Sequence, residues 1–345
     1  DWVRNGENRK AIVIASDIAK YELNSTGEYT QGAGSVSMLI SESPSIISFN
    51  GSWGVSTKGI GDFFKPRRIF KRSNILIEAA KLLNKEISSN EAETLLATSD
   101  SKFWSDSNEI VEVYKEEPIF EGQFSNESYK ERVYEAIENF NEQNQRNILT
   151  DWENIIFHLP YAFHGRRMII NKWLDWMSEN DKIEEIYSEI GKPESKQDKD
   201  WIKKVSKSSL YKNFVENKIA PGEMASSEIG NMYTASIFMS LISSLVDAAN
   251  NDKKFEDKKI GFISYGSGSK AKIFEGTVQK NWIKKINTIK LFDGLNKRKK
   301  ISIDIYEKLH NRKITSNINN NDGVIKLNKI SDGEFTEGLR NYLKY

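Results

Sequence analysis

The sequence predicts a layered α/β protein. Short apolar runs rich in β-branched residues are typical of strands buried on both faces, and they alternate along the chain with segments of helical periodicity. The segment 232–246 is apolar around most of its circumference and rich in small residues, which favours a helix lying between two layers. Strands that alternate with helices in this way usually stack as layers around shared cores.

The first strands follow a short polar opening. Ala11–Ala15 is a β-branched run without polar alternation, so we expect a central strand covered on both faces. Ser35–Ile40 is predicted to form a second strand, and Ser45–Phe49 to extend the sheet. The connection 17–34 is rich in glycine, and loops that follow buried strands often line functional sites.

Two helical regions follow in the first half of the chain. Residues 67–107 are charged, helix-prone and free of glycine, and we interpret them as a helical surface insertion. A second, amphipathic helix is predicted from Ser128, because apolar residues recur there at helical spacing: Tyr129, Val133, Ile137 and Phe140.

The second half continues the alternation. Ile155–Phe157 predicts a buried strand that ends at His158-Leu159-Pro160, because proline stops regular pairing. Trp173–Asn217 is mostly charged helix with a break near Gly191, and Lys259–Tyr265 is a strand closing in a glycine- and serine-rich turn. Late strands are predicted at three places, with a turn signal at Asp322-Gly323: Ile301–Tyr306, Lys313–Thr315 and Val324–Ile330.

Composition narrows the classes of function. The chain has 345 residues, enough for one or two domains, and 50 basic against 49 acidic residues give a net charge of +1 with mixed signs. We therefore expect no nucleic-acid or membrane partner. The longest apolar stretch, 232–246, is shorter than the roughly 20 residues of a bilayer span, which predicts a soluble protein.

The absence of cysteine has chemical consequences. Zero cysteines exclude disulfides, thiolate metal sites and a cysteine nucleophile within this stretch, and three histidines do not favour a metal site. The chain begins with Asp1 and shows no signal-peptide pattern, so its opening is interpreted as a truncation.

Three long segments, in this order, resemble the 3-hydroxy-3-methylglutaryl-CoA (HMG-CoA) synthase family. They are Ala11–Ile40 (AIVIASDIAKYELNSTGEYTQGAGSVSMLI), Gly230–Ser236 (GNMYTAS) and Ile260–Val278 (IGFISYGSGSKAKIFEGTV). Shorter matches lie between and after them: Asp62–Pro66, Pro118–Tyr129, Phe157–Tyr161 and Ile301–Glu307.

The resemblance implies a thiolase fold, layered αβαβα, whose first half is truncated at its N-terminus. Residues 1–150 would be the remainder of the N-terminal half, with the insertion at about 67–107, and residues 151–345 the C-terminal half. It also implies a cytoplasmic homodimer of the mevalonate pathway that uses acetyl-CoA and acetoacetyl-CoA and needs no cofactor. The family's catalytic cysteine and glutamate precede the segment that begins at Asp1, so the chain by itself is predicted to be inactive.

Three residues carry the site that the resemblance implies. His158 matches the histidine that binds acetoacetyl-CoA and polarises its acceptor carbonyl, whereas a lone histidine would otherwise suggest a core residue bonded to a backbone carbonyl. Asn231 matches an asparagine near the thioester, and it could also cap a helix from Met232. Ser267 lies between two glycines, where a plain tight turn is the alternative.

Four charged residues complete the predicted site. Asp17 and Asp62 match acidic residues near the family's active site, although either could serve an ordinary turn. Arg166 and Arg167 could meet the CoA phosphates or simply be solvated. The chain departs from the family at Phe163, where many relatives carry a basic residue.

Two alternative functions stay open. One is a polyketide β-branching HMG-CoA synthase-like enzyme that takes acyl groups from carrier proteins. The other, suggested by the lack of a nucleophile, is a non-catalytic thiolase-like protein that binds acyl-CoA.

Overall fold

The structure is a computed structural model that describes residues 2–101, 104, 109–115, 117–195, 198–314, 325–333, 336 and 338–344. It divides into two compact units, Asp1–Lys297 and Arg298–Tyr345. The predicted boundary at residue 150 lies inside the first unit, and the division into two thiolase halves stays a prediction.

The first unit opens with strands β1 to β5, then helices α1 and α2, strands β6 and β7, and helix α3. In chain order these elements are β1 (Lys10–Ala19), β2 (Gly32–Ser41), β3 (Ile47–Thr57), β4 (Phe63–Phe64), β5 (Arg67–Lys71), α1 (Arg72–Leu82), α2 (Ser89–Ala97), β6 (Ile110–Tyr114), β7 (Ile119–Phe120) and α3 (Gly122–Asn144).

The rest of the first unit is mostly helical apart from three strands of the main sheet. It contains β8 (Asn154–Phe157), α4 (His164–Glu179), α5 (Ile183–Ile190), α6 (Lys199–Val205), α7 (Ser209–Lys218), α8 (Ala220–Ile229), α9 (Ala235–Asn250), β9 (Lys259–Gly266), β10 (Lys270–Val278), α10 (Trp282–Ile286) and α11 (Leu291–Asn296).

The main sheet has the strand order β3-β10-β9-β8. Only the β8–β9 pair is parallel, and the other two pairs are antiparallel. Successive residues of a strand point to opposite faces, and here they enter two different cores. Ile155 and Phe157 pack with α3 and α4, while Ile156 packs with α9 and α10. The predicted strand Ile155–Phe157, buried on both faces, is confirmed.

The predicted amphipathic helix is confirmed as α3, which starts earlier than expected, at Gly122. All four of its predicted apolar residues are buried at 2% exposure or less. They face β3, β9 and β10, so α3 forms the layer on one side of the main sheet. The predicted apolar helix is α9, which lies on the other side and is buried around much of its surface, as expected.

Strands β1 and β2 form a separate two-stranded antiparallel sheet. Its inner face places Ala15 and Val36 against α8 and α9, which makes the layer order α, β, α, β. The expectation that Ala11–Ala15 is covered on both faces is wrong. Ile12 and Ile14 point the other way and are 69% and 66% exposed, because the described residues put nothing over that face.

The predicted insertion is helical over α1 and α2, and α2 carries a full capping box formed by Ser88 and Glu91. Its first residues differ from the prediction, because Arg67–Lys71 is a strand paired with β6. All five residues of this strand are exposed, and an extended, solvent-facing ribbon accepts charged side chains as readily as a surface helix does. A high density of charged residues therefore did not distinguish a helix from a strand at this position. The predicted end of the insertion, Ser107, lies outside the described residues.

The second unit contains α12 (Ile303–His310), β11 (Ile325–Ile330) and β12 (Arg340–Lys344). The predicted strand Ile301–Tyr306 is wrong, because Ser302 caps a helix by accepting the Ile305 N–H, and Lys308 pairs with Asp304 one turn apart. The strand predicted at Val324–Ile330 is confirmed over β11, which pairs with β12.

Two further predictions concern this second unit. Lys313 and Ile314 are not in a strand, and Thr315, Val324 and the Asp322-Gly323 turn lie outside the described residues. Elsewhere the strand predictions at Ser35–Ile40 and Lys259–Tyr265 are confirmed as β2 and β9. Ser45–Phe49 is a strand only from Ile47, as the start of β3, and the expectation that it extends the sheet of the first two strands is wrong, because β3 pairs with β10 in the main sheet. None of the helices in the described part of the chain combines the length and apolarity that a membrane span requires.

Candidate active site

A cavity of about 470 Å³ opens where β8 and β9 end. These strands run parallel, so their carboxyl ends meet at one edge of the sheet, and His158 and Ser267 both follow there. The segment before α9 brings Asn231 to the same place. All three therefore line one cavity, together with a set of aromatic side chains: Tyr21, Tyr129, Tyr161, His164, Tyr233 and Tyr265.

The backbone and one ring nitrogen of His158 are held by neighbouring elements. Its N–H donates to the Ile263 carbonyl at 2.9 Å, and its carbonyl accepts the Tyr129 hydroxyl at 2.9 Å. The Oγ of Ser236 on α9 lies 2.8 Å from Nδ1. Burial lowers the pKa of His158 to about 4, so the ring is neutral at neutral pH. Nε2 is then the ring nitrogen that can meet a ligand in the cavity.

Asn231 is buried, at 2% exposure, in the turn before α9. Its Oδ1 accepts the Tyr233 N–H at 2.8 Å, and its Nδ2 donates to the Tyr21 hydroxyl at 3.3 Å. The helix begins at Ala235 with Thr234 at the N-cap position, so the alternative of Asn231 as the helix cap is wrong. Asn231 instead connects the cavity wall to the loop after β1 through its hydrogen bond to Tyr21.

Ser267 lies at the edge of the cavity, in a loop fixed by Asp62. The Asp62 carboxylate, 1% exposed, accepts the Tyr265 hydroxyl at 2.5 Å and the Gly268 N–H at 2.8 Å. Burial, followed by the hydrogen bond to Asp62, raises the pKa of Tyr265. Asp62 thus lies behind the wall and bonds the two residues that flank the Gly266-Ser267 pair.

The remaining predicted residues lie outside the lining of this cavity. Asp17 is exposed on β1, and its Oδ1 accepts the N–H of the next residue, Ile18, at 2.8 Å. Arg166 forms an ion pair with buried Glu223, and its Nε donates to Oε2 at 2.9 Å. Arg167 is exposed, with its guanidinium 5.4 Å from the ring centre of Tyr161, a cavity residue.

Sequence reasoning did not single out the aromatic wall. Tyr233 and Tyr265 lie inside the GNMYTAS and SYGSG segments, so the quoted motifs already contained them. Tyr129 ends the matching segment Pro118–Tyr129, and its helical spacing predicts a core residue of α3. His164 follows His158 by six residues and is the first residue of α4. The short connection from β8 to α4 therefore brings both histidines to the cavity.

Comparison with known proteins decides the family. The family model for the hydroxymethylglutaryl-coenzyme A synthase C-terminal region matches residues 111–334, which is well over half of the chain. The chain belongs to this family. The HMG-CoA synthase of Haloferax volcanii is 27% identical over 323 residues, covering 90% of this chain and 62% of the relative.

Solved structures share the fold. The MvaS structure in complex with 3-hydroxy-3-methylglutaryl coenzyme A gives a TM-score of 0.67 at 23% identity, over 97% of this chain and 67% of that chain. The curacin biosynthetic pathway HMG synthase, in complex with apo donor-ACP, gives a TM-score of 0.65 at 17% identity, over 99% of this chain and 68% of that chain. The predicted thiolase fold is confirmed.

The HMG-CoA synthases are acyl-condensing transferases, and this chain represents part of their length. It spans 62% and 57% of two curated relatives that it matches. The observed layers α, β, α, β agree with four of the five layers implied by the thiolase fold.

Proposed function

We propose that this chain forms the acetoacetyl-CoA-binding part of an HMG-CoA synthase of the mevalonate pathway. The reaction condenses acetyl-CoA with acetoacetyl-CoA and water to give HMG-CoA and CoA. The single observation that supports this proposal is the convergence of His158, Asn231 and Ser267 on one cavity. A cavity with an apolar, aromatic wall and a few fixed polar groups suits a short acyl thioester.

The geometry around His158 suits the acceptor half of this chemistry. When the acetyl carbanion attacks the C3 ketone of acetoacetyl-CoA, a carbon–carbon bond forms and the ketone oxygen gains negative charge. A neutral imidazole with its proton on Nε2 donates a hydrogen bond to that oxygen, and the interaction strengthens as the charge develops. Such positioned acid groups contribute roughly 100- to 10,000-fold.

The nucleophile and the base belong to the first half of the reaction. In the family a cysteine is acylated by acetyl-CoA and a glutamate removes a proton from the acetyl group, and this chain contains 0 cysteines. We therefore propose that the chain alone binds acetoacetyl-CoA but does not become acetylated. We further propose that it acts in the cytoplasm as part of a homodimer, without a cofactor.

Calorimetric titration of the chain with acetoacetyl-CoA tests the binding proposal. His158→Ala should weaken binding by about 10-fold or more, because it removes the donor to the ketone oxygen. Asp17→Ala is the matched control, since Asp17 lies outside the cavity lining, and it should leave binding unchanged. Equal affinity of the wild type and His158→Ala would contradict the assignment. Stoichiometric acetylation of the chain, detected by mass spectrometry, would contradict the predicted inactivity.

One structural observation favours the carrier-protein alternative. Arg166 forms an ion pair with Glu223, and position 163 is Phe where many relatives have a basic residue. Fewer cationic side chains are therefore available to bind the phosphates of CoA. The curacin synthase structure contains a donor acyl carrier protein. Comparing the affinity of the chain for acetoacetyl-CoA and for acetoacetyl carrier protein separates the two. A clear preference for the carrier would replace the mevalonate proposal with the β-branching one.

A further inference from the structure

His164 occupies an unusual position in the cavity wall. It is the first residue of α4, it is 1% exposed, and it is one of the residues that line the cavity. Its backbone N–H donates to the Tyr161 carbonyl at 3.1 Å, so the backbone is satisfied. Its two ring nitrogens are buried, and neither has a hydrogen-bond partner within the described part of the chain.

Buried polar atoms of this kind are costly. Leaving a buried donor or acceptor without a partner costs about 1–3 kcal/mol, and an apolar side chain of the same shape would avoid that cost. The packing around His164 is entirely aromatic on two sides, with the rings of Tyr129 and Tyr161 edge-on at 4.4 and 4.7 Å. A phenylalanine would satisfy these contacts equally well, so packing does not explain the imidazole.

The two histidines of the cavity have Tyr129 as a common neighbour. Tyr129 contacts both, lying roughly parallel to the His158 ring at 6.4 Å and edge-on to the His164 ring at 4.4 Å. Burial first, and then the proximity of His158 and Arg167, lowers the pKa of His164 to about 3. Both imidazoles are therefore neutral at neutral pH, and each offers one N–H donor.

We propose that His164 is a second hydrogen-bond donor for the C3 oxygen of a β-oxoacyl thioester, alongside His158. A carbonyl oxygen has two lone pairs, so it can accept two N–H groups, as it does in oxyanion sites. Hydrogen bonds to substrate often become well aligned only in the complex. The partly exposed Tyr161, which packs on His164, is the side chain whose rotation would open the imidazole to the ligand.

This inference rests on the proposed function and gives His164 the role of a specificity-determining residue. Acetoacetyl-CoA and butyryl-CoA have the same chain length and differ at C3, where only the former has an oxygen. A hydrogen-bond donor near C3 stabilises bound acetoacetyl-CoA but not bound butyryl-CoA. The ratio of the two affinities thus reports on this contact separately from the contacts with the rest of CoA.

The experiment measures both affinities by calorimetry for the wild-type chain, His164→Phe and His164→Gln. His164→Phe keeps a flat ring between Tyr129 and Tyr161, whereas His164→Gln keeps a donor near the position of Nε2. We expect His164→Phe to reduce the preference for acetoacetyl-CoA by about 3- to 10-fold, as one neutral hydrogen bond predicts, and His164→Gln to retain part of it. Thermal unfolding checks that each variant is folded.

The outcomes distinguish this inference from the function on which it rests. If the wild type binds neither ligand, the proposed function fails and His164 loses its assigned role with it. If the wild type prefers acetoacetyl-CoA and His158→Ala reduces that preference while His164→Phe does not, only the role of His164 is overturned. Equal weakening of both ligands by His164→Phe also overturns it, because that result would indicate packing alone.

Discussion

The Ser236 hydroxyl lies 2.8 Å from Nδ1 of His158 and accepts the Leu159 N–H at 3.2 Å. A hydroxyl has one proton to donate, and among the hydrogen bonds of the described residues the Ser236 proton has no acceptor other than Nδ1. This arrangement favours the tautomer that carries its proton on Nε2, facing the cavity. A fully buried serine on α9 therefore orients the histidine that follows β8.

Ser236→Ala should weaken acetoacetyl-CoA binding by about 3- to 10-fold and lower the free energy of unfolding by about 1–3 kcal/mol, because Nδ1 and the Leu159 N–H lose their partner. Ser240→Ala is the matched control, since Ser240 is equally buried one turn later and its Oγ has no hydrogen-bond partner among the described residues. Calorimetry and thermal unfolding measure both effects. Similar results for the two variants would show that Ser236 does not orient the ring.

Asp62 and Tyr265 should be energetically coupled. Asp62→Ala leaves the Gly268 N–H and the Tyr265 hydroxyl without their shared acceptor, and Tyr265→Phe removes one of the two donors to a buried carboxylate. A double-mutant cycle measured by denaturant unfolding should give a coupling energy of about 1–3 kcal/mol. Tyr29→Phe serves as control, because Tyr29 is 83% exposed and should change stability by less than about 0.5 kcal/mol. Additive effects of the Asp62 and Tyr265 variants would refute the coupling.

Arg166 and Glu223 are expected to contribute to stability rather than to phosphate binding. Glu223 is 2% exposed, and burial raises the pKa of its carboxyl while Arg166 opposes that shift. Arg166→Ala should cost about 3–5 kcal/mol, because it leaves a buried charge without its partner, and adding Glu223→Gln should restore part of the loss. The neighbouring exposed residue provides the control, Arg167→Ala, which should change stability by less than about 0.5 kcal/mol. An Arg166→Ala variant whose free energy of unfolding equals that of the wild type would contradict this role.

The two buried histidines predict acid sensitivity. Burial lowers the pKa of His158 to about 4 and of His164 to about 3, against an ordinary value near 6.5. Below pH 6.5 the unfolded chain binds protons that the folded chain does not, so stability should fall as the pH drops toward these lowered values. Each histidine adds about 1.4 kcal/mol per pH unit within that window.

His164→Phe should reduce this slope by about one proton between pH 6 and pH 4.5, measured by urea unfolding at a series of pH values. The exposed carboxylates contribute equally in both proteins, so the difference between the two curves isolates His164. Parallel curves for the wild type and His164→Phe would show that His164 is protonated as readily in the folded state.

Much of the site could be predicted from the sequence because it depends on local patterns. The strand Ile155–Phe157 followed by His158, the asparagine before an apolar helix and the serine between two glycines are all readable along the chain. Two parallel strands that end at the same edge then bring His158 and Ser267 together. The resemblance to the family supplied the roles, and the family model confirmed the membership.

Other features required the three-dimensional structure. Ile12 and Ile14 are apolar, as residues of a buried strand usually are. Only the three-dimensional structure shows that their side of the β1–β2 sheet is exposed. Ile301–Tyr306 alternates like a strand, yet the cap at Ser302 and the ion pair of Lys308 stabilise a helix. Short apolar runs fit either period, so local contacts decide between them.

The sequence by itself determined the α/β class, the family and the three residues of the cavity, because each is carried by a contiguous segment with its own periodicity or motif. Only the tertiary structure showed that Asp62 fixes the loop of Ser267, that Arg166 is engaged by Glu223, and that His164 shares the cavity with His158. Asp62 and Gly268 are 206 residues apart, and Arg166 and Glu223 are 57 residues apart. Side-chain pairing over such separations depends on how layers pack against one another, and no local pattern encodes it.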